Sequence, residues 1–272
     1  MQPKYADVIA LAKQAGDAIL DIYNSSEYTT VVEKADNSPL TDADLAAHKI
    51  LMAGLKSILD LPIISEESDL PSKEDRDNWQ QFWLIDPLDG TKEFIERNGE
   101  FTVNIALISN HEPVFGLIYA PVTDEVFYGG NDKAYCIKGN HAPVRLKASN
   151  PSVQIREHNQ VRIFGSRRHA TEQLERLREH LIERLAPTEL ILVGSALKLA
   201  YLAEGQAELY PRYGNVNEWD IAAGHAILRC VGGDILTLQY EPMKYGHKPS
   251  MIVPGFLAIG CLDYDWRPLL LT

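Results

Sequence analysis

The stretch Trp83-Leu-Ile-Asp86-Pro-Leu-Asp89-Gly-Thr91-Lys-Glu-Phe constrains this chain more than any other. An apolar run that reads as a strand feeds straight into two aspartates three residues apart, followed by a glycine. Pro87 cannot donate to a strand ladder and fixes its own φ, so strand pairing is expected to stop there. Gly90 tolerates the sharp backbone that a turn into a helix requires. Both carboxylates can then face one pocket beside the free carbonyl of Leu88. These are hard oxygen donors, which suit Mg²⁺ better than soft metals. The amides around Gly90 and Thr91 would open a helix toward the same pocket, and a helix N-terminus attracts phosphate. A lone D-x-x-D could equally be a turn with an N-cap, because Asp is common at both places.

Two further acidic sites bear on that choice. Glu66 and Glu67 follow the strand-like Pro62-Ile63-Ile64, which places another carboxylate pair at a strand end. Read alone, they are a solvated acidic loop. Trp219-Asp220 opens the apolar helix beginning Ile221-Ala-Ala-Gly-His, where Asp220 alone could be an N-cap.

Around these sites the periodicity alternates. Val8, Ile9, Ala12, Ala15 and Ile19 mark an amphipathic helix over 5–23, and a polar loop follows at Lys34-Ala-Asp-Asn-Ser-Pro39. Thr41 begins a second helix, with Thr41-x-x-Asp44 as a capping box that uses Asp in place of Glu or Gln. Short apolar runs at 62–64, 82–85, 102–108, 114–119 and 126–128 predict a mainly antiparallel sheet packed on those two helices. Residues 139–160 read as a seam. Beyond it, strands at 161–164, 190–193 and 207–210 alternate with helices at 174–185, 196–203 and 221–231. A final strand is expected at 235–238. Such alternation indicates a sheet with helices on its faces.

Composition narrows the function. A chain of 272 residues, 45% hydrophobic and 24% charged, matches a globular enzyme rather than a disordered segment. Its formal net charge of −12 repels nucleic-acid backbones and anionic lipid, so an anionic ligand must meet a local positive site or a metal. No nucleic-acid polymer and no protein partner are expected. The three cysteines, Cys136, Cys230 and Cys261, form no C-x-x-C pair and read as free thiols in a reducing compartment. Charges at Lys4, Asp7, Lys13 and Asp17 rule out a signal-peptide core or a membrane span in the first helix. A cytoplasmic protein is expected, with peripheral inner-membrane association as an alternative that no motif supports.

The acidic pair, the D-P-[IL]-D-G-T stretch and the distant W-D occur in the order that characterises the inositol monophosphatase superfamily of lithium-sensitive, metal-dependent phosphatases, which the chain resembles. Within it, the chain is most similar to the CysQ-type 3′(2′),5′-bisphosphate nucleotidases. The resemblance extends through Lys34-Ala-Asp-Asn-Ser-Pro, Asp86-Pro-Leu-Asp-Gly-Thr-Lys-Glu-Phe-Ile, Arg97-Asn-Gly-Glu-Phe-Thr-Val-Asn-Ile-Ala-Leu, Ala203-Glu-Gly-Gln-Ala-Glu-Leu-Tyr-Pro-Arg and Trp219-Asp-x-Ala-Ala-Gly-His, and covers essentially the whole chain. It implies a layered α/β (α+β sandwich) fold in two subdomains with the site between them. Residues 1–140 would carry most metal ligands; residues 141–272 would carry the substrate-binding residues and the last ligand.

The resemblance also implies the site. Glu66, Asp86, the Leu88 carbonyl, Asp89 and Asp220 match ligands of two or three Mg²⁺ ions, with Glu67 a neighbour. Asp44 and Thr91, together with Glu66, match the group that polarises the attacking water. Gly90, Thr91, His169, Ser195, Lys198, Arg212 and Asp220 match substrate-binding positions. The substrate implied is adenosine 3′,5′-bisphosphate, or its 5′-phosphosulfate analogue, in sulfur metabolism. A phosphate monoester carries about two negative charges near neutral pH, so screening and positioning dominate the reaction and no Ser or Cys nucleophile is required. Lys92-Glu93-Phe94 resembles the nucleotidase branch, where inositol monophosphatases usually have T-N-F. Arg168, Ala196 and the segment Asn215-Val-Asn-Glu218 differ from the commonest family pattern. His225 reads as a packed or capping residue, because Mg²⁺ prefers oxygen. His247 reads as a loop residue. Two rival readings are an inositol-phosphate phosphatase of the same fold and a non-catalytic nucleotide or metal sensor.

Overall fold

The computed structural model describes residues 3–25, 31–33, 39–167 and 171–270. The polar loop at 34–38 and the candidate His169, with Arg168 beside it, lie outside the described residues.

Helix α1 (Tyr5–Tyr23) buries Val8, Ala12, Ala15 and Ile19, the stripe its spacing requires. The short strands β1 (Val31–Glu33) and β2 (Pro39–Thr41) pair antiparallel and lead into α2 (Asp42–Ile58). Thr41 caps α2 by accepting the Ala43 N–H at 3.2 Å, and the Asp44 carboxylate accepts the Thr41 N–H at 2.8 Å. The capping box therefore forms with Asp at its third position.

Next come β3 (Ile63–Ser65), α3 (Lys73–Asp77), β4 (Gln81–Asp89), α4 (Thr91–Ile95), β5 (Thr102–Ser109), β6 (Glu112–Ala120), β7 (Glu125–Gly130), β8 (Lys133–Lys138) and β9 (Val144–Arg145). The strands among these, β3 to β9, form one seven-stranded sheet in chain order, antiparallel except for the β3–β4 pair. The chain continues through α5 (Pro151–His158), β10 (Val161–Ser166), α6 (Glu172–Arg184), β11 (Thr188–Val193), α7 (Leu197–Ala203), β12 (Leu209–Arg212), β13 (Val216–Asn217), α8 (Glu218–Arg229), β14 (Asp234–Leu236), β15 (Ile252–Val253), β16 (Phe256–Ile259) and α9 (Arg267–Leu270). A second sheet of five strands runs in the order β11-β10-β12-β16-β14.

Side-chain alternation stacks these parts. Trp83, Ile85, Val103, Ile105, Leu107 and Leu117 face α1 and α2, while Phe82, Leu84, Ala106, Ile108 and Ile118 face α7 and α8. With both faces covered, the strands read as continuous apolar runs. Phe164, Tyr210, Ile235 and Phe256 of the smaller sheet close on α7 and α8 from the other side. Its outer face packs Val161, Ile163 and Leu209 against Leu174, Leu177 and Leu181 of α6 and against Trp266. The result is helix, sheet, helix, sheet, helix, as the resemblance implies.

Three local expectations need correction. Pro87 does not end its strand: β4 runs to Asp89, which pairs with Thr102, and a register shift between Asp86 and Asp89 accommodates the proline. Helix α8 starts at Glu218, so Asp220 lies in its first turn and is not its N-cap. The last strand is not the one expected near 235–238, because β16 follows it and lies inside the smaller sheet between β12 and β14. The seam at 139–160 holds β9, which closes the large sheet, and α5, whose Ile155 packs with the outer core of the small one.

The middle layer depends on close approach. A Cβ at Gly116 of β6 would sit 2.1 Å from the Ala223 carbonyl oxygen of α8. Because backbone rather than a flexible side chain blocks it, Gly116→Ala is expected to cost about 1–3 kcal/mol by forcing α8 off the sheet. Urea unfolding of the two proteins checks this; unchanged stability would mean that α8 does not seat so closely.

Candidate active site

Strand pairing brings the first two carboxylates together. β3 lies parallel to β4 with Ser65 opposite Ile85, and the Glu66 N–H donates to the Ile85 carbonyl at 3.2 Å. Glu66 therefore leaves its strand end beside Asp86. The Asp86 carboxylate is buried and accepts the Leu88 N–H at 3.0 Å across the bulge. Asp220 arrives from the first turn of α8, where its carboxylate accepts the Asn217 N–H at 2.9 Å. Carboxylate oxygens of Glu66, Asp86 and Asp220 all lie within 4.8 Å of one another.

Asp89 has a different neighbour: its Oδ2 accepts the Ala196 N–H at 2.5 Å, so it joins β4 to the turn before α7. Gly90 caps α4 in the left-handed region at φ 93°. A Cβ there would meet the Glu100 carbonyl oxygen at 3.0 Å and Ser195 Cβ at 3.2 Å, which excludes larger residues twice over. Thr91 Oγ1 lies 3.2 Å from Asp44 Oδ1 and 3.3 Å from the Leu88 carbonyl oxygen. One hydroxyl hydrogen can serve only one of the two. The Leu88 carbonyl is therefore within reach of a donor, and it is free, as expected, when that hydrogen turns to Asp44.

The facing wall comes from the smaller sheet. Ser195 adopts a left-handed backbone with φ 46° just before α7. Lys198 is 4% exposed, and its ammonium donates to the Ser195 carbonyl at 2.7 Å and the Val193 carbonyl at 3.0 Å, above the Tyr210 ring. It is not a solvated surface cation. Arg212 ends β12; its Nη2 reaches the Asn215 carbonyl only at 3.4 Å, and its buried Nε has no partner. Glu66, Asp86, Leu88, Asp89, Gly90, Thr91, Ser195, Lys198, Arg212 and Asp220 all line one cleft of about 290 Å³. Asp44 stands behind Thr91. The sequence reading missed Glu93, Tyr210 and Phe256, which also line the cleft. Tyr210 lies in the Ala203–Arg212 stretch and Glu93 in Lys92-Glu93-Phe94, both of which carry the resemblance, whereas Phe256 carried no chemical signal.

Burial and crowding shape the charges. Asp86 is pushed well above the usual carboxylate range by desolvation, reinforced by Glu66, Asp89 and Asp220. Asp220 rises for the same reasons, opposed by the Asn217 N–H and Arg212. Asp89 is raised to about 6 by burial, against the pull of Lys198 and the Ala196 N–H. Burial lowers Lys198 to about 8 while Asp89 holds it up. Three crowded, all-oxygen donors, with Asp86 and Asp220 raised by burial and neighbouring charge, fit a hard divalent cation, and they are the only such group among the described residues. His225 is no ligand: its ring nitrogens lie 2.7 Å from Tyr245 Oη and 2.5 Å from Asp234 Oδ1 in the core. His247 packs edge-on against His111.

Known proteins match this chain closely in sequence and fold. The sequence model described as Inositol monophosphatase family matches residues 1–258. The 3′(2′),5′-bisphosphate nucleotidase CysQ of Escherichia coli K12 is 44% identical over 250 residues, covering 92% of this chain and 96% of that protein. The nucleotidase of the same description from Haemophilus influenzae is 33% identical and spans 96% of this chain and 94% of its own length. Among solved structures, CysQ of Bacteroides thetaiotaomicron, a bacterial member of the inositol monophosphatase family, superposes with a TM-score of 0.81 at 37% identity, covering 93% of this chain and 96% of its own. An IMPase from Thermotoga maritima shares the fold at a TM-score of 0.74 and 20% identity, over 97% of this chain and 94% of its own.

The repulsion has a measurable consequence. A carboxyl with a raised folded-state pKa stabilises the fold below its unfolded pKa and loses that stabilisation as pH rises through the folded value. For Asp89 that window runs from 3.8 to about 6, and Asp86 and Asp220 shift in the same direction. In chelator at pH 7.5, Asp86→Asn removes one buried charge at constant shape and is expected to raise Tm by a few degrees. At pH 4 the advantage should shrink or vanish. Thermal melts at both pH values decide it, and a lower Tm for the variant at pH 7.5 would contradict the assigned repulsion.

Proposed function

The chain belongs to the inositol monophosphatase family as a metal-dependent 3′(2′),5′-bisphosphate nucleotidase of the CysQ type, and we propose that it frees the 3′-phosphate of adenosine 3′,5′-bisphosphate in the cleft between residues 1–140 and 141–272. The observation that carries this reading is the opposition of two charge zones in one small cleft. Glu66, Asp86 and Asp220 crowd one side; Lys198 and Arg212 line the other.

In this reading Glu66, Asp86, Asp89, Asp220 and the Leu88 carbonyl hold two or three Mg²⁺ ions. Bound there, Mg²⁺ supplies positive charge that screens the phosphoryl group and acidifies water. The protein's own groups do the rest. Asp44 Oδ2 is occupied by the Thr41 N–H, leaving Oδ1 to take the Thr91 hydroxyl hydrogen. With its hydrogen turned to Asp44 Oδ1, Thr91 Oγ1 presents a lone pair that accepts a hydrogen bond from water and orients it toward the ester; a proton taken from that water is balanced by the hydroxyl's own proton passing to Asp44. Glu66 completes that group. Asp220, at the start of α8, also meets the substrate.

The second phosphate suits the cationic wall. An ammonium has three hydrogens, and Lys198 commits two to backbone carbonyls, which leaves one aimed by the others. Arg212 retains its unpartnered Nε and most of its fork. Ser195, Gly90 and Thr91 border the same space, and His169 extends the wall in this proposal. A phosphosulfate in place of the 5′-phosphate presents the same charge to these residues, so the sulfated analogue is a second substrate. No described helix is long and apolar enough to cross a membrane, and the free thiols Cys136, Cys230 and Cys261 suit a cytoplasmic enzyme.

Phosphate release should be faster from adenosine 3′,5′-bisphosphate than from inositol 1-phosphate at equal Mg²⁺, and chelator should abolish both. Preference for the inositol ester would reverse the substrate assignment; no turnover of either would favour a sensor. Asp89→Asn should raise the Mg²⁺ needed for half-maximal turnover about 10–100-fold. An unaltered Mg²⁺ response would remove Asp89 from the metal-holding set.

A further inference from the structure

Outside the residues already assigned, one carboxylate ties the large-sheet side of the chain to the small sheet at the edge of the cleft, where Gly194 lines it. Glu100 lies in the loop before β5, and Arg167 directly follows β10. Glu100 Oε2 accepts the Arg167 Nε–H at 2.8 Å and Oε1 accepts the Nη2–H at 2.7 Å, a bidentate pair. Oε2 also accepts the Gly194 N–H at 2.7 Å. Arg167 holds the Glu100 carboxyl below its ordinary pKa, so it stays ionised.

An ion pair with an exposed arginine contributes little to stability by itself, and the Arg167 side chain is 47% exposed. The packing around this one points elsewhere. A Cβ on Gly194 would lie 2.9 Å from both Cβ and Oε2 of Glu100, so only glycine admits the approach. On its other side the Glu100 carbonyl oxygen abuts Gly90, the cap of α4. β10 and β11 run parallel with Ser166 opposite Val193, so Arg167 and Gly194 leave adjacent strand ends. One carboxylate thus fixes both ends relative to the Gly90 turn. The segment it fixes carries Ser195, in its left-handed backbone, and the carbonyls of Val193 and Ser195 that aim Lys198. Glu100 holds the Gly194 amide and Asp89 holds the Ala196 amide, so the turn is gripped twice from the large-sheet side. Only the Asp89 grip is shared with the acidic zone.

We propose that Glu100 and Arg167 are positioning residues for substrate selection: their clasp sets the placement of the 194–198 wall and hence the affinity for the nucleoside and second phosphate, without touching the metal-holding carboxylates. The proposal rests on the nucleotidase reading above. Breaking the clasp should therefore loosen recognition of the part of the substrate that does not react.

The test measures kcat and KM for wild type, Glu100→Gln, Arg167→Ala and the double variant, at saturating Mg²⁺, on adenosine 3′,5′-bisphosphate and on a small phosphate monoester without a nucleoside. Each single variant should raise KM for the bisphosphate about tenfold, with kcat within about twofold. Their constants for the small ester and the Mg²⁺ concentration for half-maximal rate should not change. The double variant should be no worse than either single one, because both remove the same clasp. Equal KM increases on the two esters, a shifted Mg²⁺ requirement, or multiplying effects in the double variant would overturn the proposal. Failure of wild type itself to turn over the bisphosphate would overturn the nucleotidase reading and the clasp with it. The two failures are distinguishable, because the second appears before any substitution is made.

Discussion

The structure is organised around the cost of gathering carboxylates in a place that water reaches poorly. Burial and mutual repulsion push Asp86 and Asp220 upward together, and a chain can tolerate that only where backbone dipoles or a ligand offset it. The fold places each acid at or near the end of a regular element. Glu66 leaves β3, Asp86 and Asp89 flank the bulge of β4, and Asp220 lies in the first turn of α8. Asp44 shows the economy most clearly. One of its oxygens completes the α2 capping box while the other meets Thr91. Asp220 likewise accepts the Asn217 amide while standing in the acidic cluster. These residues secure helix starts and furnish the cleft at once, which ties the local stability of α2 and α8 to the geometry of the site.

That arrangement needs a middle layer that both sheets can approach. α8 is buried nearly all round, and its Ala222, Ala223, Gly224 and Ala226 let neighbours come close. Gly116 meets it from the large sheet, and Leu199 of α7 packs where a Cβ on Gly224 would intrude. The N-terminus of α8 is thereby fixed between the layers. Further back, the buried Glu218 carboxylate accepts the Gly246 N–H at 2.6 Å, and Arg76 donates to the Gly246 and Pro249 carbonyls. The loop after β14 is laced to the same helix start by groups on both sides, so Asp220 is supported by core packing and by polar anchors that never reach the cleft.

Much of this could be read from the sequence because the chemistry is compressed. Asp86, Leu88, Asp89, Gly90 and Thr91 lie within six positions of the chain, and their roles in turn and pocket are encoded by Pro, Gly and Asp types. The Thr41–Asp44 box was equally local. Glu66 was ambiguous alone, and only the parallel pairing of β3 with β4 separates a pocket residue from a solvated loop. What escaped the sequence is long-range. Asp89 and Ala196 are 107 positions apart, and no local pattern announces their bond. The strand β16 is four residues long, between Gly255 and Gly260, and is too short to show a period. Pro87 misled for a physical reason: a missing N–H forbids a regular ladder but not a bulge, and β4 uses that allowance to turn two carboxylates toward the cleft.

The opposite shifts of Asp89 and Lys198 explain why the two charge zones belong together. Burial drives Asp89 toward its neutral form and Lys198 toward its own, yet each is drawn back by the other across the cleft. Neither charge would be maintained as readily alone. A monovalent, compact ligand would satisfy one zone and leave the other exposed to its own repulsion. A ligand with two anionic groups, one brought by metal to the acidic side and one to the cations, satisfies both. The chain's overall negative charge sharpens that preference, because any anion must be drawn past a repelling surface into this one small cleft. Extended polyanions meet the surface along their whole length, whereas a small bisphosphate meets it only on entry.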